Sequence, residues 1–188
     1  HGTKDESQPI EPDNIAAVDW IRRYRPTHLC WGNHEWRLVE WRSHHNATLA
    51  FAAGTVWNRL EDVAKEVRAA TVPYDIKNGW FFMGGYGWTH GYMYSEAAVR
   101  DHAEMAGVPI VMAHIHRPLQ ERGRMLNEKP SFCVGTLGNL DKFNYARRRR
   151  AFTRWGAGIV FGEMCEDDSQ LWLASAKQGE KLRFPFPL

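Results

Sequence analysis

The sequence has only three cysteines, which argues against a small secreted domain held together by disulfides. Cys30, Cys133 and Cys165 lie far apart and form no C-x-x-C pair. Because an odd number of widely spaced cysteines does not build a disulfide framework, they favour a reducing, cytoplasmic setting.

Long apolar runs and an excess of one charge are also missing. No apolar stretch approaches the ~20 residues of a membrane span, and the start shows no signal-peptide pattern. Lys and Arg total 24 against 22 Asp and Glu, a net charge of +2, which is typical of neither a strongly basic nucleic-acid binder nor an acidic tail. We therefore expect no membrane association and, at 188 residues, a single domain over residues 1–188.

Tryptophan and histidine are abundant instead, with nine of each. Apolar periodicity and turn residues predict an α/β fold in which helices alternate with short strands. The predicted helices are 13–25, 36–70 and 95–106, and the predicted strands are 27–31, 80–83, 86–89, 108–113, 131–134, 158–161 and 171–174.

Polar side chains follow three of the predicted strands. Asn33 and His34 follow the first, His90 follows the second strand of a Gly-Gly hairpin, and His114 and His116 follow the strand over 108–113. Strand ends of one sheet gather at one edge, so these groups could meet in space. Imidazole nitrogen and amide oxygen suit Mn, Fe, Zn or Ni, and an extended His-x-His points its side chains to opposite faces, which suits two adjacent metals.

A single histidine after a strand is more often a surface or hydrogen-bonded residue than a ligand. We interpret His28, His44, His45 and His102 in that way. The other histidines differ because they occur in three ordered blocks, each at a predicted strand end.

These blocks give the chain a family resemblance. Gly32–Glu35 reads G-N-H-E, Thr89–Gly91 reads T-H-G, and Ala113–His116 reads A-H-I-H. In this order they resemble the calcineurin-like metallophosphoesterase family, especially its small bacterial or phage-type members, over Gly32 to about Ala174. Ala113 stands where the family has glycine, a change that the backbone tolerates if φ is not positive there.

The resemblance implies a metallo-dependent phosphatase-like fold of layered sheets flanked by helices. It also implies a dinuclear centre of divalent transition metals that hydrolyses phosphoesters through a bridging water. Asn33, His90 and His114 would bind one metal and His116 the other, while His34 would bind phosphate and protonate the leaving oxygen.

The sequence departs from the family before Asn33. The family's D-x-H and G-D blocks, which supply the remaining ligands, do not occur there. Asp5 and Asp13 are poor substitutes because neither follows an apolar strand. We therefore expect a truncated domain, with its N-terminal part missing and weak activity.

Two other interpretations stay open. The run Arg147–Arg150, followed by Phe152, Arg154 and Trp155, could grip a nucleotide or nucleic acid; Arg147 and Arg148 are its candidate substrate-binding residues, although such a run is more often a solvated loop. The third interpretation is a mononuclear zinc site that only stabilises the fold. The open, water-accessible ligand set argues against it, because open sites are typical of catalysis.

Overall fold

The computed structural model describes residues 10–122, 129–143, 148, 150–166, 169–177 and 180–183. The chain divides into two compact units, one up to Gly79 and one from Trp80. This division into units does not test the single domain expected over residues 1–188, which stays a prediction. In the described part of the chain, no helix has both the length and the apolar character that crossing a membrane requires.

The N-terminal unit consists of three helices and a pair of short parallel strands. Its elements are α1 (Ile10–Tyr24), β1 (His28–Cys30), α2 (Asn33–Trp41), α3 (Ala47–Glu66) and β2 (Ala70–Val72). The register of the parallel pair places His28 opposite Ala70 and Cys30 opposite Val72.

The core of this unit lies between the helices. The apolar face predicted on the long helix is buried at Val56, Leu60 and Val63, as expected. On α1 the predicted face is wrong at Ile15, which is 51% exposed. Ile21 of the predicted face is buried, as expected. Asn14 is buried as well, and it donates its Nδ2 hydrogen to the Val56 carbonyl at 3.4 Å.

The single helix predicted over 36–70 is wrong, because the structure has two helices there. The chain leaves α2 after Trp41 and starts α3 at Ala47. Asn46 is the N-cap of α3, and its side chain accepts a hydrogen bond from the Leu49 amide at 3.1 Å. The final predicted residue, Ala70, belongs to β2 instead.

The C-terminal unit is built on a five-stranded mixed sheet with the order β3-β4-β5-β7-β6. The central strands β4, β5 and β7 are parallel, and both edge strands are antiparallel to their neighbours. The elements are β3 (Trp80–Met83), β4 (Tyr86–Thr89), α4 (Ala98–Ala106), β5 (Ile110–Met112), β6 (Pro118–Glu121), β7 (Ser131–Val134), β8 (Gly156–Glu163) and β9 (Gln170–Lys177).

The two faces of this sheet carry different layers. Ile110 and Met112 pack in a cluster with α4, whereas Val111 packs in a cluster with Leu171 of β9. This is the alternation expected of a strand that is buried on both faces. The α/β class is therefore confirmed, with α4 over one face of the sheet and the β8–β9 hairpin over the other.

Two predicted turns of this unit are confirmed. Gly84 and Gly85 join β3 to β4 with φ of 63° and 75°, the positive values that a primed hairpin turn needs. Gly107 ends α4 with φ of 69°. The predicted cap of that helix is wrong: α4 begins at Ala98, and the Ser95 hydroxyl donates to Asp101 at 3.1 Å.

Candidate functional site

His90 and His114 meet at one edge of the C-terminal sheet. His90 directly follows β4 and His114 follows the parallel neighbour β5 after one residue. The Nδ1 atom of His114 lies 3.3 Å from the Nε2 atom of His90. The centroids of the two rings are 5.2 Å apart, and the angle between the ring planes is 67°. The structure thus brings together two of the four predicted metal ligands.

This nitrogen–nitrogen distance fits two ligands of one metal ion. Two imidazole nitrogens bound to a tetrahedral ion at about 2.0–2.1 Å are separated by about 3.3–3.4 Å. The same distance fits a hydrogen bond between the rings. Over the described residues, His, Cys, Asp and Glu side chains form no group of three or more that could hold a metal, so the geometry supplies a two-histidine pair.

The His114–His116 segment is a bend and not an extension of β5. His114 and His116 have φ of 60° and 57°, and the Ile115 amide donates to the Ala113 carbonyl at 2.7 Å. The expectation that an extended His-x-His presents its side chains to opposite faces is therefore wrong. Ala113 itself has no positive φ, so the backbone accepts alanine in place of glycine.

His116 is held by aromatic rings that precede β8. Its imidazole stands edge-on to Trp155 with centroids 4.5 Å apart and lies 5.9 Å from Phe143. Its carbonyl accepts a hydrogen bond from the Gly156 amide at 3.0 Å. These contacts fix the second histidine of the bend, while its assignment to a second metal stays a prediction.

His102 supports the loop that leaves His90. It is fully buried, its Nδ1 atom lies 2.6 Å from the Ala98 carbonyl, and its Nε2 atom accepts from the amides of Tyr92 at 3.1 Å and Met93 at 3.4 Å. Burial lowers the pKa of His102 below its ordinary value. A neutral ring that donates at Nδ1 and accepts at Nε2 satisfies every one of these contacts, in agreement with its interpretation as a structural histidine.

An arginine and a glutamate beside the bend were missed from the sequence. Arg117 directly follows His116 and is buried; it donates to the Glu96 carboxylate at 2.8 Å and to the Ser95 carbonyl at 3.0 Å. Arg154 donates to the same carboxylate oxygen. The hydrogen bond from Arg117 is the largest cause that lowers the pKa of Glu96. The only sequence signal was the position of Arg117 next to His116.

The basic run predicted to bind substrate is described in part. Arg147 lies outside the described residues, and Arg148 is exposed. Arg150 starts a short 3-10 turn, Arg150–Arg154. Together with Glu96, Ala151 and Arg154 it lines a cavity of about 320 Å³.

Asn33 and His34 belong to the N-terminal unit, where they form the start of α2. The Glu35 carboxylate accepts a hydrogen bond from the Gly32 amide at 3.1 Å and closes this first turn. Trp31, immediately before the turn, packs against Trp57, with their ring centroids 5.1 Å apart. Asn33 is half-buried and His34 is exposed, so His34 is open to a ligand from solvent.

Comparisons with family models, curated proteins and solved structures found no match to this chain. The resemblance to metallophosphoesterases therefore rests on the three histidine-bearing blocks of the sequence.

Proposed function

We propose that this protein is a metal-dependent phosphoester hydrolase whose metal centre includes His90 and His114. The observation that carries the proposal is the 3.3 Å separation of two imidazole nitrogens at the ends of adjacent parallel strands. Two of the three sequence blocks contribute these nitrogens, and the third supplies Asn33 and His34.

Within the C-terminal unit, the proposed ligands are His90 and His114 for one divalent transition metal and His116 for another. Asn33 stays a further ligand that the sequence resemblance alone predicts. When bound, Mn, Fe, Zn or Ni would supply an acidified water and a Lewis acid for the phosphoryl oxygens. The bend formed by the left-handed backbone at His114 and His116 would hold these two imidazoles in place at the metal centre.

His34 is proposed as the general acid. Its imidazole is exposed at the start of α2, and a histidine near neutral pH can give a proton to a departing oxygen. The substrate would be a phosphoester, including a nucleotide or nucleic acid, with Arg148 and Arg147 as further phosphate contacts. The D-x-H and G-D blocks do not occur before Asn33, so we expect low turnover from these 188 residues.

We further propose a cytoplasmic location. All three cysteines are free thiols, and Cys133 is buried while Cys30 is partly so. Burial raises the pKa of Cys30 to about 12 and that of Cys133 to about 11, which keeps these thiols protonated and unreactive. Free, protonated thiols agree with a reducing compartment.

Metal content and hydrolysis, measured on the same variants, test this function. The protein is first freed of metal with a chelator and then loaded with Mn²⁺ or Zn²⁺. Its metal content is measured, and its turnover of bis(nitrophenyl) phosphate and of an alkyl phosphodiester is followed. His90→Ala and His114→Ala should lose metal first and activity as a consequence. His45→Ala, at an exposed histidine, is the control and should change neither.

His34→Ala should instead keep its metal. Its turnover of the alkyl ester should fall by ~10²–10⁴, the usual worth of a general acid, and the loss should be smaller for the nitrophenyl ester, whose leaving group needs no proton. Metal binding that survives His114→Ala would overturn the proposal. Bound metal that raises the melting temperature without any hydrolysis would favour the structural zinc site instead.

A further inference from the structure

One oxygen of Glu96 is shared by two arginines. The Nη1 atoms of Arg117 and Arg154 both donate to Oε2 of Glu96, Arg117 at a distance of 2.8 Å. The side chain of Arg117 is only 10% exposed, whereas that of Glu96 is 75% exposed. The buried arginine is thus a fixed part of the site, and the carboxylate is its solvent-exposed partner.

The two arginines are anchored from elements that also hold His116. Arg117 follows His116 in the chain and donates a second hydrogen bond to the Ser95 carbonyl at 3.0 Å. Arg154 ends the 3-10 turn Arg150–Arg154, and the next residue, Trp155, packs on the His116 ring. If Glu96 moved away, Arg117 would keep its hydrogen bond to the Ser95 carbonyl, and the Nη1 donors of both arginines would become available to another anion.

The charge and donor count of this cluster favour an anion with more oxygens than a carboxylate has. Arg117, Arg150 and Arg154 bring three positive charges against the single negative charge of Glu96. Each guanidinium carries five N–H donors in a planar fork, and a phosphate offers oxygens to two forks at once. The adjoining cavity of about 320 Å³ reaches the lower end of the range for ligand pockets, about 300–1,000 Å³.

We propose that Arg117 and Arg154 form a phosphate subsite and that Glu96 is its intramolecular occupant, displaced when a phosphate group binds. This inference deepens the proposed function and depends on it for one point only: the subsite would select phosphoesters that carry a second phosphate group, such as a nucleotide with a terminal phosphate. Phosphate binding itself requires no metal and no hydrolysis.

Titration of the chelator-treated chain with inorganic phosphate, at low salt and by calorimetry, tests the subsite. Glu96→Gln removes the competing charge and should tighten phosphate binding about three- to tenfold, the change expected from losing two ion pairs to a solvent-exposed carboxylate. Arg154→Gln should weaken binding at least about fivefold because a charge-assisted contact is lost. The matched controls are Arg100→Gln and Glu104→Gln, an exposed ion pair on α4, and both should bind phosphate as the parent does.

Three results would overturn the inference: unchanged affinity in Glu96→Gln, unchanged affinity in Arg154→Gln, or acetate binding as tightly as phosphate. Arg154 is 49% exposed, so its replacement tests the subsite without disturbing the core. Hydrolysis is assayed separately with the metal-loaded chain. The expected phosphate pattern without any hydrolysis supports the subsite and refutes the hydrolase; hydrolysis together with unaltered phosphate binding in both variants does the reverse.

Discussion

Replacing His102 by glutamine tests whether a buried neutral imidazole stabilises the C-terminal unit. The ring is 0% exposed and lies between α4 and the loop after His90. The glutamine Oε1 can take over the acceptor role of Nε2 toward the Tyr92 amide, but nothing replaces the donor to the Ala98 carbonyl. One lost hydrogen bond and imperfect packing should reduce the free energy of unfolding at pH 8 by about 1–3 kcal/mol.

The dependence on pH is the sharper part of this prediction. Burial lowers the pKa of His102 below its ordinary value of 6.5, so below that pH the unfolded chain binds a proton that the folded chain does not. The stability from the neutral ring is therefore fully present above pH 6.5 and is lost as pH falls toward the folded-state pKa, at up to about 1.4 kcal/mol per pH unit for one proton. Glutamine does not titrate, so the difference in stability between parent and variant should shrink between pH 8 and pH 5.

Urea unfolding followed by tryptophan fluorescence at several pH values measures both effects. Trp80 lies 6.0 Å from the His102 ring and reports on this unit. His45→Gln, at an exposed position, is the control and should leave the profile unchanged. Parallel stability profiles for the parent and His102→Gln would show that the ring is not held neutral by burial, and the reasoning would be wrong.

Three further predictions concern caps, turns and thiols. Asn46→Ala should lower the free energy of unfolding by about 1 kcal/mol, since it removes the side-chain cap of α3, while Asn46→Asp should retain it; equal losses in urea unfolding would contradict this. Gly107→Ala places a Cβ where nothing lies within 4 Å, so its cost of about 1 kcal/mol is purely that of a left-handed backbone, and an unchanged unfolding midpoint would refute that. In a thiol-reagent assay at pH 8 the native chain should show a fast reaction at exposed Cys165 and slow reactions at Cys30 and Cys133; three fast thiols would contradict the burial of the last two.

The sequence predicted the elements whose signals are local. The Gly84–Gly85 turn and Gly107 at the end of α4 were recognised because each residue type meets a backbone requirement within a few positions. Non-local strands were missed: β2 has only three residues, and its partner β1 lies about forty residues earlier in the chain. β6 was missed as well. It begins with Pro118, and within sheets proline is usually confined to edge strands such as this one.

The meeting of His90 and His114 was predictable from the sequence, whereas the contacts around them were not. His90 and His114 were placed together because they end parallel neighbouring strands, a relation that the order of motifs already suggested. The Glu96–Arg117–Arg154 cluster joins residues 21 and 58 positions apart, and no periodicity announces such a contact. The shape of the His-Ile-His segment was misjudged because an apolar strand just before it suggested that the extended backbone would continue.

The left-handed backbone at His114 and His116 places two imidazoles at a cost in backbone strain. A residue with a Cβ loses about 1–2 kcal/mol in this conformation relative to its right-handed one, and glycine at either position would relieve the strain. Such a glycine variant would also lose the imidazole and its ring contacts, which for His114 are with His90 and for His116 with Trp155. The backbone therefore orders both imidazoles with no ligand bound, so a ligand of the proposed site would not have to supply the free energy that orders the bend.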